Sequence, residues 1–569
     1  MEHKDSHNIS HSDEKSLIPD ISDHANNHDT GHNETHVSPI SLSKYTKALI
    51  SSWTKSHHKP NLSPNRISVS QSVSFLAFLY EKMRNAVEFR EEHLIRKAAI
   101  ERIVKRRMVL NENGRDIAEL VIKELLWARY YENNTIGDDK VRQVQTTIDK
   151  YFFLRNELSA GRSSKEQERI GIFMLEVISC EIEEILSPDY KREAFINFVY
   201  QLLRNHVAPF DGNSLEKDIQ VYIAVERSFA HNDDALIRYH LLKLMIPEIT
   251  EITWKSADRV LPKLYDVYND IEKALIHPLA DKTRNFINKQ GPPFYILRDV
   301  FNANTANIES ILCNENQLKH KVDDSCRKRY DETKDRLRRT GVRSFIYIIL
   351  TKVIFAFILE IPYDVYVLQS ISYIPIIVNV IFPPLLMTII IMSVTVPGDE
   401  NTKKIYSLIK DIISEDPEDP HILETSTIIG KVTKSKSPIF SAAFSLLYLL
   451  TYLLSFGSIV YVLTLVNFNP VSQIIFIFFV TLVTFFAFRV INITREYFVI
   501  DRDGPLTPFI DLFFLPIIRV GQWLSGEVLS KFNIFIFIFD FIIEMPLKVI
   551  VEVIDEWARF VRLKKEEMV

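Results

Sequence analysis

The pattern of apolar and polar positions along this chain of 569 residues changes near residue 340. Before that point apolar residues recur every three or four positions, as in Phe75, Leu79, Met83 and Val87, a spacing typical of amphipathic helices. Breaker sequences divide this part into roughly eight or nine helices, and no alternating apolar run indicates a sheet. We therefore predict an all-α protein in which residues 65–340 form a helical cytosolic domain.

Long apolar runs follow this region. A bilayer core of roughly 30 Å is crossed by about 20 helical residues. The runs predict four spans, at about residues 345–361, 367–396, 438–466 and 471–491, within a multi-pass membrane region of residues 341–500.

Basic residues near the spans predict their orientation, because Lys and Arg concentrate in cytoplasmic flanks. The first span is preceded by Arg336, Arg338, Arg339 and Arg343, and six lysines lie between the second and third spans. The turns within each pair of spans have neither Lys nor Arg. We expect both termini in the cytoplasm and the four arginines near anionic lipid headgroups.

Residues 501–569 are predicted to form amphipathic helices and a cytoplasmic C-terminus. Asp540, Glu544 and Lys548 step by four and therefore line one side of a helix. One interpretation is a helix in the plane of the cytoplasmic interface, with this stripe in water. The other is a fifth span whose stripe faces Lys352. The interface is favoured, because charge at bilayer depth costs several kcal/mol. The segment with Asp511 and Arg519 has the same interfacial character.

Residues 1–64 are rich in Ser, Asn, Asp and His and are predicted to be disordered, because they carry little apolar area to bury. Their histidines are spaced by four within two groups, at His3, His7 and His11 and at His24, His28, His32 and His36. Imidazoles at that spacing are candidate ligands for a divalent metal. The alternative, which is favoured, is a low-complexity tail without a preformed site. No other cofactor is predicted.

Three clusters in the helical domain contain residue types that are common in functional sites, but a purely structural role is favoured for each of them. Asn232 or Asp233 is placed to cap a helix, which leaves His231 and His240 as surface residues. The carboxylates of Glu181, Glu183 and Glu184 and the basic run Arg96, Lys97, Arg102, Lys105, Arg106 and Arg107 are each predicted to form a solvated helix face.

Composition and missing motifs reduce the number of functional classes that fit the sequence. A net charge of −5 argues against a nucleic-acid partner. Three cysteines do not make a disulfide framework and fit a reducing compartment, which is consistent with a bacterial-type inner membrane. The chain lacks the phosphate-loop, dinucleotide, serine-hydrolase and zinc-protease motifs, so an enzyme is not favoured.

These observations lead to a membrane-anchored interaction or scaffold protein, with the lipid bilayer and proteins bound by the helical domain as partners. The alternative is a channel or carrier for a small ion, because ionisable residues in spans often serve transport. Against it, Lys352 can extend towards an interface and Glu360 lies at a span end where it can reach water. A lipid-modifying membrane enzyme is a third, less favoured possibility.

Overall fold

A computed structural model gives the fold of the chain. It describes residues 40–55, 65–70, 91–110, 116–369, 373–415, 427–429, 438–500 and 507–524, with isolated positions between 75 and 84 and at Trp557.

The first twelve described helices belong mainly to a helical domain: α1 (Lys44–Lys55), α2 (Glu92–Leu110), α3 (Ala118–Trp127), α4 (Asp138–Ser159), α5 (Ser164–Leu186), α6 (Tyr190–Leu203), α7 (Ser214–Val225), α8 (Asp234–Met245), α9 (Leu261–Leu275), α10 (Ala280–Lys289), α11 (Gly291–Ala303) and α12 (Ile308–Cys313). The later helices are α13 (Glu315–Phe355), α14 (Ile361–Tyr366), α15 (Tyr373–Ser393), α16 (Asp399–Ser414), α17 (Pro438–Leu465), α18 (Pro470–Arg495) and α19 (Thr507–Trp523).

The all-α prediction is confirmed: across the described parts of the chain there are helices and isolated β-bridges but no strand. Residues 91–340 contain more helices than the eight or nine expected. Several breaks occur at buried connections that lack the Gly and Pro clusters used to place boundaries. One example is the π-helical turn Glu226–Ala230 between α7 and α8.

The helical domain has two apolar cores. The first is formed mainly by α2 to α5, α8 and α9, with Val104, Ile122, Tyr151 and Ile178 almost fully buried. The second is formed by α1, α6, α7 and α10 to α13. Each core is built from apolar residues at helical spacing, so burial of one face per helix holds these elements together.

The helical domain is not confined to residues 65–340. Helix α16, which lies between the second and third apolar runs, places Ile405, Ile409 and Ile413 in the second core with no exposed surface. Tyr497, which follows α18, is part of the same core. The boundary prediction was therefore too narrow, because the apolar face of α16 is too short to mark a span and was counted as part of a polar loop.

Residues 40–55 also belong to the folded protein, contrary to the prediction of disorder over residues 1–64. Helix α1 buries Leu49, Ile50 and Trp53, and the Trp53 ring meets Phe301 edge-on at 5.3 Å between centroids. A single tryptophan at helical spacing from two aliphatic residues provides enough apolar area to order this segment. Residues 1–39 and 56–64 lie outside the described part.

Among the described residues, four helices are long and apolar enough to cross a bilayer, by length and composition. The first is the end of a continuous helical run from Glu315 to Tyr366, of 52 residues and about 78 Å at 1.5 Å per residue. The others lie at Tyr373–Ser393, Ser445–Leu465 and Pro470–Ile491. We call the end of α13 with α14, α15, α17 and α18 the apolar bundle. The first predicted span is thus the far end of a longer helix, and the second begins six residues later than predicted.

Helix α19 packs along the apolar bundle. The Ser455 hydroxyl of α17 donates to the Phe513 carbonyl at 2.8 Å, and Gly521 lies so close to α18 that an added Cβ would sit 2.7 Å from the Thr481 carbonyl oxygen. Both contacts fall near the middle of the two long apolar helices. A position at the ends of the bundle, which an interfacial helix requires, does not fit them. The predicted amphipathic helix of residues 532–560 lies outside the described part, apart from Trp557.

Candidate functional site

The most unusual group of side chains is a polar cluster inside the apolar bundle. Lys352, Asn379 and Glu360, here called the polar triad, have relative exposures of 0%, 0% and 1%. The Lys352 ammonium donates to Asn379 Oδ1 at 2.6 Å, and Asn379 Nδ2 donates to Glu360 Oε1 at 2.6 Å. One amide thus bridges a base and an acid whose nearest charged atoms are 4.0 Å apart.

A π-helical turn at Ala356–Glu360 brings the base and the acid to the same side of the helix. Eight residues of regular α-helix would rotate Glu360 about 80° away from Lys352, whereas seven residues make about two turns. The wider i to i+5 turn absorbs the extra residue. Its cause lies in the sequence: Pro362 has no N–H to donate to the carbonyl of Ile358, which interrupts the regular α-helical bonding here.

Asn379 is held by a third element. Its Nδ2 also donates to the backbone carbonyl of Ser472, near the start of α18, at 3.3 Å. The amide therefore joins three helices of the bundle. A polar side chain at such an interface is stabilised by its hydrogen bonds, because hydrocarbon offers no alternative partner.

The polar surroundings continue from the triad towards one end of the bundle. Asp364, one helical turn beyond Glu360, is 1% exposed and accepts from Asn469 Nδ2 at 2.8 Å. Asn469 also caps α18 by accepting from the backbone N–H of Ser472 at 2.7 Å. In the opposite direction the triad is closed by apolar side chains, and the Lys352 ammonium lies 4.1 Å from the centre of the Phe479 ring.

Two buried oxygens next to these groups are unused. Glu360 Oε2 and Ser472 Oγ have no hydrogen-bond partner among the described residues. An ionised carboxylate normally accepts several hydrogen bonds when buried. The site therefore has spare acceptor capacity at the acid, while the base has one hydrogen bond and a contact with the Phe479 ring.

The expectation for Lys352 and Glu360 was wrong in one respect. Neither side chain reaches an interface or water, because the π turn directs Glu360 inward and Asn379 fills the space between them. Asn379 was missed. Its signal was present, since it is the sole side-chain amide in the otherwise apolar sequence of α15.

The other predicted site residues are distributed as follows. Arg336, Arg338, Arg339 and Arg343 are exposed on α13, where it enters the apolar bundle. Outside the described residues lie the stripe Asp540, Glu544 and Lys548 and the tail histidines His3, His7, His11, His24, His28, His32 and His36. Within the described part, no group of three or more His, Cys, Asp or Glu side chains is arranged to hold a metal ion.

The basic face of α2 is only partly solvated: Lys105 is exposed as predicted, whereas Lys97 is buried. Lys97 is 3% exposed and donates to Asp233 at 2.7 Å, and Arg96 pairs with Glu183 at 2.7 Å. Arg106 pairs with Glu124. Glu92 and Glu101 pair with Arg96 and Lys97 from the same helix, but Asp233, Glu183 and Glu124 lie on other elements of the fold, which the local pattern could not reveal.

The carboxylates of α5 were also misplaced in part. Glu181 is 5% exposed and accepts from Lys150 at 2.7 Å and from the Tyr151 hydroxyl at 2.7 Å. Glu183 is buried against Arg96. Both acids serve as buried ion-pair partners that connect helices.

A second polar network links α2, the π-helical turn Glu226–Ala230 and α8. Asp233 caps α8 as predicted, by accepting from Leu236 N at 3.1 Å. Its neighbour Asn232 joins His93, at 2.9 Å, to Glu226, which is 3.1 Å from His240 Nδ1. His240 is therefore a half-buried partner of an acid and not a freely solvated surface residue.

The pKa values of His93 and His240, the two histidines of this network, are shifted in opposite directions. Burial, together with the nearby Arg192 charge, lowers the pKa of His93 from 6.5 to about 4. Burial also opposes the charge on His240, but the Glu226 carboxylate outweighs it and raises the pKa of His240. For Glu226, burial alone would raise the pKa, yet His240 and the surrounding hydrogen bonds hold it below its ordinary value. This network thus stabilises a charged pair at the His240 end and a neutral imidazole at the His93 end.

A comparison of the chain with known protein families, with curated proteins and with solved structures finds no match.

Proposed function

We propose that this protein is a multi-pass integral membrane protein that holds a helical interaction domain rigidly against the cytosolic face of its membrane. The observation that carries the proposal is the common core of α16 and the helical domain. Because α16 lies between the second and third apolar helices, the domain is attached to the bundle at several points of the chain.

Three contacts support a rigid attachment. Asn401 Nδ2 donates to the Tyr330 hydroxyl at 3.0 Å and to the Tyr497 carbonyl at 2.8 Å, so one amide joins α16, α13 and the residues after α18. Lys410 of α16 pairs with Glu315 at the start of α13 at 2.8 Å. A tether through a single flexible linker would leave such partners apart.

Charge supports the cytosolic side for the domain and both termini. The exposed arginines of α13 and the exposed Lys403 and Lys404 of α16 lie at the end of the bundle next to the domain, as a cytoplasmic flank requires. The three cysteines are free, which fits a reducing compartment such as the cytosol beside a bacterial-type inner membrane.

A surface of the helical domain suited to a protein partner lies at the start of α7 and after α9. Leu215 and Ile276 are 72% and 81% exposed. They adjoin Glu216 and His277, whose side chains are 2.8 Å apart, so the segments that carry the two apolar residues meet at this point. Exposed apolar residues with a polar rim are typical of protein interfaces.

The test is stoichiometric co-purification of the full chain from its own membrane after cross-linking. We expect a defined partner that is lost from the double variant Leu215→Asp and Ile276→Asp and retained by Lys352→Met. Partner binding that is equal in both variants, or absent from the unaltered chain, would reject an interaction domain at this surface.

A second function is favoured by a specific observation, the polar triad. Buried ionisable groups within spans are frequent in carriers of small ions, and the triad has an unused acceptor oxygen. We propose ion transport as the alternative. It is tested by flux in liposomes that contain the full chain, where Lys352→Met abolishes flux and the exposed control Lys334→Met does not. Equal flux in both variants, or none in the unaltered chain, would reject it.

A further inference from the structure

Helix α13 enters the apolar bundle with one face packed against its neighbours. Leu337 and Ile348 belong to a small apolar core that α13 forms with α15 and α18. Gly341 approaches α15 so closely that an added Cβ would lie 2.9 Å from the Ile391 side chain. Positions 337, 341 and 348 are separated by four and seven residues, so they lie on one side of the helix. The opposite side of α13 is free to contact a ligand.

The open side of α13 has basic residues followed by apolar ones. Arg339 and Arg343 are exposed, and Val342, Ile346 and Leu350 are each more than half exposed. Positions 339, 343, 346 and 350 follow one another at intervals of three or four residues, so they line one face. A phospholipid has the same order of chemistry, with a charged headgroup at one end and acyl chains beyond it.

The basic end of this face borders an open cavity of about 400 Å³. Its described lining consists of Asp335, Arg338, Arg339, Val342 and Arg343. A volume of this size lies in the range of small-molecule sites. Arg336, the fourth arginine of the predicted juxtamembrane group, does not line the cavity. The structure therefore separates three arginines from a fourth that the sequence pattern treats alike.

The fold does not neutralise the three arginines of the cavity. Within the described part of the chain, no ion pair joins Arg338, Arg339 or Arg343 to an acid. Asp335 is the single acid among the described lining residues. Guanidinium groups bind phosphate oxygens through paired N–H donors. The cavity is therefore suited to an anion that contains phosphate.

The depth of the cavity distinguishes a lipid from a soluble anion. Ile391, which Gly341 contacts, lies close to the end of α15 at Ser393. Since α15 has the length and composition of a span, this end marks the edge of the hydrocarbon. A soluble anion would contact the basic end alone, whereas a phospholipid would also cover the exposed Ile346 and Leu350. The apolar strip thus favours a lipid.

We propose that Arg338, Arg339 and Arg343 bind the phosphate of one anionic phospholipid, whose acyl chain lies along Ile346 and Leu350. This rests on the proposed function for the location of α13 at the membrane, and it names the lipid partner at the junction of domain and bundle. Helix α13 also contributes to the second core of the helical domain. The bound lipid therefore holds the helix that carries the domain.

The experiment is native mass spectrometry of the full chain in detergent micelles, with added phosphatidylglycerol or phosphatidylcholine of the same acyl chains. We expect saturable binding of one phosphatidylglycerol per chain, with at least tenfold weaker binding of the zwitterionic lipid. The triple variant Arg338→Gln, Arg339→Gln and Arg343→Gln should weaken phosphatidylglycerol binding by about 100-fold, from about fivefold for each arginine. All three side chains are exposed, so these changes leave the apolar cores intact.

Arg336→Gln is the matched control, because this arginine is exposed on the same helix outside the cavity. It should weaken binding much less than any single change at the cavity. Equal losses at Arg336 and at the cavity, or equal binding of the two lipids, would overturn a defined site. Glycerol phosphate or inorganic phosphate that binds as tightly as phosphatidylglycerol would overturn the lipid as the occupant.

Failure of this site is distinguishable from failure of the proposed function. The number of lipids bound in micelles depends neither on a protein partner nor on the orientation of the chain in a membrane. Absence of lipid binding would therefore reject the lipid site and leave the interaction domain in place. Saturable lipid binding without a co-purified protein would have the opposite meaning.

Discussion

Asn401 and Tyr330 are hydrogen-bonded at 3.0 Å although 71 residues and two apolar helices separate them along the chain. Tyr330 lies on α13 before it enters the apolar bundle, and Asn401 lies on α16 after the chain has left it. Asn401 is 3% exposed and uses its Oδ1 as well, by accepting from Val499 N at 2.9 Å. This amide therefore connects three segments that emerge from the bundle.

Replacement of Asn401 by Ala should destabilise the protein by about 2–3 kcal/mol, because buried partners at Tyr330 and Tyr497 lose their hydrogen bonds. The measurement is the free energy of unfolding of the full chain in mixed detergent micelles. The exposed residue Asn288 provides the control Asn288→Ala, which should change stability by less than about 0.5 kcal/mol. Equal effects of the two variants would show that the Asn401 contacts contribute nothing.

Helix α1 should be essential to the second core. Trp53→Ala removes a ring that is 2% exposed and should cost about 3–5 kcal/mol. Trp254, which is 48% exposed, gives the matched control Trp254→Ala with a much smaller loss. The two variants are compared by thermal melting, monitored by far-ultraviolet circular dichroism, which reports the helical backbone. A stable Trp53→Ala variant would return residues 40–55 to a peripheral role.

The residues in these two predictions, Asn401 and Trp53, belong to helices whose place in the core could not be predicted from the sequence. Periodicity was sufficient for the all-α fold and for four long apolar helices, because both properties are local. It was insufficient for the membership of α1 and α16 in the core, because a short amphipathic helix does not reveal which distant core it covers. Asp233 was predicted as a cap from its neighbours, whereas the buried pairs of Lys97 and Glu181 depend on residues more than 30 positions away.

The apolar bundle shows the same limit of prediction from the sequence. Lys352 was identified because a charge in an apolar run is visible in sequence. Its relation to Glu360 was not, because eight residues of regular helix would point the two side chains in different directions. The π turn that aligns them follows from Pro362, so a proline two residues after an acid in a span is a usable signal.

Stability should fall as the pH decreases from about 6.5 to 4, in part because of His93. Burial and Arg192 lower the pKa of His93 from 6.5 to about 4, so over this range the unfolded chain binds a proton there and the folded chain does not. The full effect is about 3 kcal/mol, from 1.36 kcal/mol for each pH unit.

The variant His93→Gln retains a donor for Asn232 and should lose less stability over this pH range than the unaltered chain. Denaturant unfolding at pH 7 and pH 5 measures the difference. Asn288→Ala, at an exposed position that does not titrate, provides the control and should have the pH dependence of the unaltered chain. If His93→Gln and the unaltered chain have parallel curves, His93 is not responsible.

The charges of the bundle should be coupled in stability. Lys352→Met leaves the Glu360 carboxylate buried without its cation, and Glu360→Gln leaves the Lys352 ammonium buried without its acid, so each variant should cost about 3 kcal/mol. The double variant should be more stable than the sum of these losses predicts, since it removes both charges. Unfolding in mixed micelles gives all three values. Strictly additive losses would contradict coupling between Lys352 and Glu360.

The central claim is that the helical domain and α16 share one core on one side of the membrane. The most direct measurement is labelling of single introduced cysteines by a membrane-impermeant maleimide in sealed, oriented vesicles, with the unaltered chain as the background for its three own cysteines. We predict that Leu215→Cys on the domain and Lys403→Cys on α16 are labelled from the same side, and that Tyr366→Cys, at the end of α14, is labelled from the opposite side. Labelling of Lys403→Cys together with Tyr366→Cys, on the side away from Leu215→Cys, would contradict the account.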